Sequence, residues 1–125
     1  MKAVVYDKKA HPDRLVCSDV DNPVPGDNEV LIRVHSVSLN AADYRSMKMG
    51  LIPGKKIFGA DIAGRVEKVG RNITEFKPGD DVAGDLAGYG FGGLAEYVTA
   101  PEKFIIHKPG QVSFEEAAAV PMAAV

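Results

Sequence analysis

Residues 29–39, EVLIRVHSVSL, carry an apolar side chain at every second position from Val30 to Val34, with a mixed set between them. That period belongs to a β-strand with one face packed, and it places Val30, Ile32 and Val34 on one side and Leu31, Arg33 and His35 on the other. A strand so built needs partners beside it and a layer over its apolar face. The chain supplies six further short runs of β-forming residues: KAVVYDK, LVCSDVD, DIAGRVEKVG, DDVAGDL, LAEYVTA and KFIIHK. Many short strands separated by turn signals predict a mainly β sandwich or barrel.

The punctuation between these runs is chemically specific. In PVPGDN and KPGDD, proline sets φ at the second turn position and glycine supplies positive φ at the third, so both predict tight turns. Two stretches break the β pattern. NAADYRSMKMG is built of helix formers and ends on glycine, which predicts a short helix. SFEEAAAVPMAAV opens with Ser113 and carries Glu116 three residues on, the spacing of a capping box.

A chain of 125 residues suits one domain with a core of its own. The net charge of −2, with both signs interspersed, shows no nucleic-acid footprint and no polybasic membrane patch. The single cysteine, Cys17, excludes an intramolecular disulfide and a thiolate zinc cluster within the chain. In LVCSDV it reads as a small strand hydrophobe. No apolar run approaches a membrane span and no signal-peptide core opens the chain, so a cytoplasmic protein is expected. The last nine residues, AAAVPMAAV, carry no polar side chain. Apolar surface of that kind calls for a cover, which predicts either a longer polypeptide, a partner chain or a homo-oligomer.

GYGFGG at 88–93 fits the G-x-G-x-x-G spacing of a dinucleotide fingerprint. Such a fingerprint needs a helix after it and an acid about twenty residues on. LAEYVTAP follows instead, strand-forming and closed by Pro101, and Lys108 stands where the acid belongs. The run is therefore expected to be a glycine-rich connection between strands.

MKAVVYD, PVPGDNEVLIRVHSVSLNAADYR, FGADIAGRVEKVG, FKPGDDV, GGLAEYV and EEAAAVPMAA occur in an order that resembles the medium-chain dehydrogenase/reductase superfamily. The resemblance is to the N-terminal GroES-like catalytic domain of its zinc-free, quinone-oxidoreductase-like branch. It implies a partly open β-barrel with short helices over residues 1–112. Residues 113–125 would begin the segment leading into a Rossmann domain that binds NAD(P)H and that these 125 residues lack.

Where zinc-dependent members of the superfamily carry a cysteine, a serine or threonine, and a G-H-E, this chain has Asn40, Ala42 and Gly59-Ala60-Asp61. The resemblance thus implies no zinc. It implies reduction of a quinone or an α,β-unsaturated carbonyl by NADPH, with Asn40 and Tyr44 as the catalytic pair and Asn40, Ala41, Asp43, Tyr44 and Arg45 beside the cofactor. Leu86 and Tyr89 fall at the wall of the substrate pocket. From the residues alone, Asn40 before a helix also reads as an N-cap, and Tyr44 as a half-buried core aromatic. Asp61 reads as structural, and His11, His35 and His107 take surface or core roles.

Without the Rossmann domain the chain is expected to be inactive and to bind NADPH weakly or not at all. A different class of function is also open: a stand-alone GroES-like module that works through protein contacts without catalysis.

Overall fold

A computed structural model of the chain describes residues 1–6, 15–38, 57–86, 89 and 92–119. All seven strand runs appear in it: β1 (Lys2–Tyr6), β2 (Leu15–Asp19), β3 (Glu29–Ser38), β4 (Asp61–Val69), β5 (Asp81–Asp85), β6 (Tyr97–Pro101) and β7 (Ile105–His107). The helix expected at NAADYRSMKMG lies outside the described residues, as does the tail from 120 onward. Among the described residues no helix is long and apolar enough to cross a membrane.

β1 and β2 form a two-stranded antiparallel sheet, and the other five form an antiparallel sheet in the order β6-β3-β4-β5-β7. Its two edge strands are consecutive in the chain and joined by a 3-10 turn of three residues, Glu102–Phe104. Four residue steps from Pro101 to Ile105 reach about 14 Å at full extension. A flat sheet would hold its edges roughly 19 Å apart, four spacings of about 4.8 Å. The sheet must therefore roll until its edges approach, although no ladder joins β6 to β7. The result is a barrel left open at one seam.

The inside of the roll is the core. Val30 and Ile32, Ile62 and Val66, Val82, Leu86, Val98, Ala100 and Ile105 all point into it, with Phe76 from the β4–β5 connection. Each large side chain buried there contributes about 1.5–3 kcal/mol. Leu31, on the opposite face of β3, is also buried, whereas Arg33 and His35 are exposed as the alternation predicts.

Two register shifts bend the β3–β4 pair. Val34 opposes Gly64 and Ser36 opposes Ala63, leaving His35 as the extra residue on β3; Ile32 opposes Val66 and Leu31 opposes Lys68, leaving Glu67 extra on β4. Such β-bulges sharpen the local twist. The bulge at His35 also shifts the phase of the strand, so that Val37 rejoins Val34 against the core.

The outer face is covered in part by α1 (Phe114–Ala119). Ser113 Oγ accepts the Glu116 N–H at 3.1 Å while Glu116 Oε1 accepts the Ser113 N–H at 3.3 Å, the reciprocal capping box expected from the sequence. Ala117 and Ala118 then pack on Ala63 and Ala83, small residue against small residue, with Phe114 and Val112 at the margin.

Two expectations need correction. KPGDD makes its turn as expected, with Gly79 at φ 96° and the Asp80 N–H bonded to Lys77 O. In PVPGDN, however, the turn closes from Gly26 to Glu29, and Gly26 is its first residue rather than its third. Glu29 Oε1 accepts the Gly26 N–H at 2.8 Å, and Gly70 sits so tightly on Gly26 and Asp27 that those contacts outweigh the proline signal. Cys17, read as a strand hydrophobe, is exposed, because β2 belongs to the small sheet and not to the rolled one.

Gly64 lies opposite Val34, where a Cβ would come within 2.1 Å of Arg33 O. Gly64→Ala is expected to cost about 1–3 kcal/mol or more by urea denaturation, through overpacking against backbone. Gly110→Ala, where a Cβ meets nothing within 4 Å, should stay within about 0.5 kcal/mol of the parent.

Candidate functional site

The strand ends of β3, β4 and β5 meet in one row. Ser38 opposes Asp61, and Asp61 opposes Asp85. Asp61 is only 2% exposed, and an ionisable group so deeply placed requires compensation; both Asp61 and Asp85 take part in interactions there. The described residues break off after Ser38 and resume at Ile57, four residues before β4. The expected site residues Asn40, Ala41, Asp43, Tyr44 and Arg45 fall in that interval, outside the described residues.

Beside this row two backbone segments cross. The Gly93 N–H donates to Gly59 O and the Leu94 N–H donates to Phe58 O, both at 2.9 Å. Gly59 takes φ 101°, and a Cβ on Gly93 would lie 2.7 Å from Gly59 O and 2.5 Å from the Ile62 side chain. Only glycine allows so close an approach. The last glycine of GYGFGG is thus used by the crossing, and its N–H is unavailable to a pyrophosphate. A strand, β6, follows instead of a helix, so the run is the strand-to-strand connection that its neighbours predict; Gly88 and Gly90 lie outside the described residues.

Phe58, Ala60 and Asp61 are all buried, and Ala60 O accepts the Leu86 N–H at 2.8 Å. The methyl of Ala60 offers no donor to a metal. Among the described residues no three His, Cys, Asp or Glu side chains cluster closely enough to hold one.

Leu86, expected at a pocket wall, is fully buried in the core beside the crossing. Tyr89 is 40% exposed and turned toward the seam. Its ring lies 5.6 Å from that of Phe104, in the turn that joins the two edges, and its hydroxyl donates to Glu29 Oε2. Glu29 is the first residue of β3 and Ser38 the last. The structure therefore brings Asp61 and Leu86 to the Ser38 end and ties the phenol of Tyr89 to the other. Glu29 escaped sequence reasoning because a carboxylate opening a strand carries no signal of a partner sixty residues away.

The bond to Glu29 raises the Tyr89 pKa above its ordinary value near 10, with partial burial adding to the effect. Raised in the folded state, the phenol contributes stability below pH 10 that is lost as pH climbs through the folded value. The difference in 295 nm absorbance between the parent and Tyr89→Phe should titrate above pH 10. Glu29→Gln should bring that titration down; no change in the variant would dissolve the link.

Residues 26–110 match the family model of the alcohol dehydrogenase GroES-like domain. The chain belongs to that family. It is 41% identical over 110 residues to quinone-oxidoreductase QR1 of Triphysaria versicolor, a chloroplastic protein, covering 84% of this chain and 33% of the relative. It is 37% identical over 134 residues to the 2-methylene-furan-3-one reductase of Solanum lycopersicum, covering 98% and 34%. The solved quinone oxidoreductase of Pseudomonas syringae pv. Tomato superposes with a TM-score of 0.86 at 32% identity, covering 97% of this chain and 37% of that one. The chain spans about a third of the length of these relatives. The GroES-like fold expected from the order of motifs is the one observed, with its sheet left open.

Proposed function

We propose that this chain is the N-terminal catalytic-domain portion of a zinc-independent NAD(P)H-dependent oxidoreductase that reduces quinones or α,β-unsaturated carbonyls. The observation that carries the proposal is the buried run Phe58–Asp61, which sets the methyl of Ala60, a side chain without a donor atom, beside Asp61 at the strand ends where the chain departs toward Asn40. The kinship with a quinone oxidoreductase and an enone reductase supports the choice of substrate class.

NADPH, when bound, supplies a hydride, which in the enone case goes to the β-carbon. Negative charge then develops on the substrate oxygen. In this proposal the Asn40 amide donates a hydrogen bond to that oxygen, a contact worth about 3–4 kcal/mol in a preorganised site. Tyr44 adds a phenolic proton, a role worth about 10²- to 10⁴-fold in rate. Ala41, Asp43 and Arg45 line the cofactor, while Leu86 and Tyr89 support the wall by packing and by the tie to Glu29. Residues 1–112 form the catalytic domain and 113–125 begin the passage to a Rossmann cofactor domain. The single cysteine suits a reducing, cytoplasmic setting.

The 125-residue chain, given NADPH and a quinone or enone, is expected to leave the 340 nm absorbance unchanged. Brisk turnover by this chain alone would overturn the division of labour between domains. Stoichiometric zinc by elemental analysis would overturn zinc independence. Within a polypeptide that also carries the cofactor domain, Asn40→Ala should lower kcat by about 10²- to 10³-fold.

A further inference from the structure

The outer face of the sheet carries a row of side chains that the proposed reaction does not use. Across β6, β3, β4 and β5 the directly opposed residues are Tyr97, Arg33, Arg65 and Asp81. Two arginines facing each other across a strand pair repel, so the arrangement needs compensation. Arg65 has it: its Nε donates to Asp81 Oδ1 at 2.8 Å. Arg33 does not, since its other neighbour, Tyr97, is neutral, and no carboxylate among the described residues pairs with it.

The two bulges bracket this arginine pair. Between them opens a cavity of about 590 Å³, lined by Arg33, His35, Arg65 and Glu67 and by the Pro78–Gly79 turn. Bulges re-aim side chains, and His35 is the extra residue of one. Its ring is stacked face to face on Phe114 at 4.2 Å, which leaves its nitrogens at the ring edge for hydrogen bonding. At Asp81 the neighbouring charges are positive. The Asp81 carboxyl is held below its ordinary range chiefly by the Arg65 hydrogen bond, against an opposing cost of burial, and the charges of Arg65, Lys108 and His35 add to the lowering.

We propose that this cavity is an anion site for a phosphate group, held by the guanidinium fork of Arg33 together with the part of Arg65 that Asp81 leaves free. Two guanidinium groups borne by directly opposed residues match the several oxygens and the double charge of a phosphate better than a single carboxylate. The cavity exceeds the volume of the ion itself and leaves space for a small organic body. Glu67, which accepts hydrogen bonds and cannot donate them when ionised, suits a hydroxyl on that body. Inorganic phosphate and a phosphate ester share the recognised chemistry.

The Nε–H resonances of the arginines, followed by NMR as inorganic phosphate or glucose 6-phosphate is added to the 125-residue chain, test the site. Saturable shifts at Arg33 and Arg65 are expected with either probe. Tighter binding of glucose 6-phosphate would assign the site to an ester, and equal affinity to the free ion. Arg33→Gln should weaken binding by about tenfold or more. Arg33→Lys, which keeps the charge and loses the fork, should fall between Arg33→Gln and the parent. Arg71→Gln, at a residue paired with Asp27 away from the cavity, should leave it unchanged. Shifts that fail to saturate, shifts of equal size at Arg71, or undiminished affinity in Arg33→Gln would overturn the site.

Discussion

A three-residue turn governs the shape of this domain. Because Glu102–Phe104 must carry the chain from one edge of the five-stranded sheet to the other, the sheet cannot lie flat. Rolling it brings the apolar faces of β3, β4, β5 and β6 onto one another and creates the core. The same constraint leaves a seam, since the edges come near without forming a ladder. Tyr89, Phe104 and Glu29 meet at that seam through an aromatic contact and a hydrogen bond. Side chains there do the joining that backbone does elsewhere in the sheet.

A sheet so tightly rolled needs places where backbone can touch backbone. Gly64 meets Arg33 O beside the bulge, and Gly84 meets Phe104 O near the turn. Gly93 meets Gly59 O at the crossing next to the strand ends. Each is a position where even one methyl group would collide with a carbonyl oxygen. Gly93, the last glycine of a run that resembles a phosphate cradle in the sequence, thus serves close packing in the fold. The consequence for function is positional: the Gly59–Gly93 crossing fixes Phe58, Ala60 and Asp61 at the end of the sheet from which the chain runs toward Asn40.

The two faces of the sheet differ in what they demand. The inner face is uniformly apolar and tolerates its bulges because Val37 resumes where Val34 leaves off. The outer face is divided between an alanine patch under α1 and an exposed row of charged side chains. His35 joins these halves, since its ring packs on Phe114 of the helix while it also lines the cavity beside the arginines. A single extra residue in β3 is what sets it there.

Local chemistry sufficed for the parts of the molecule that depend on neighbours in the chain. The period of two over Val30, Ile32 and Val34, the proline-glycine turn at 78–79 and the Ser113–Glu116 capping box each involve residues a few positions apart, and each is found as the sequence predicts. The strand after GYGFGG was legible for the same reason, and with it the failure of the dinucleotide fingerprint. What only tertiary structure decided depends on distant residues: the start of the turn at Gly26, the bulge at His35, the exposure of Cys17, the burial of Leu86 and the tie from Tyr89 to Glu29. Register, curl and burial arise from packing between segments far apart in the chain, and no local pattern encodes which oxygen a side chain will reach once the sheet has rolled.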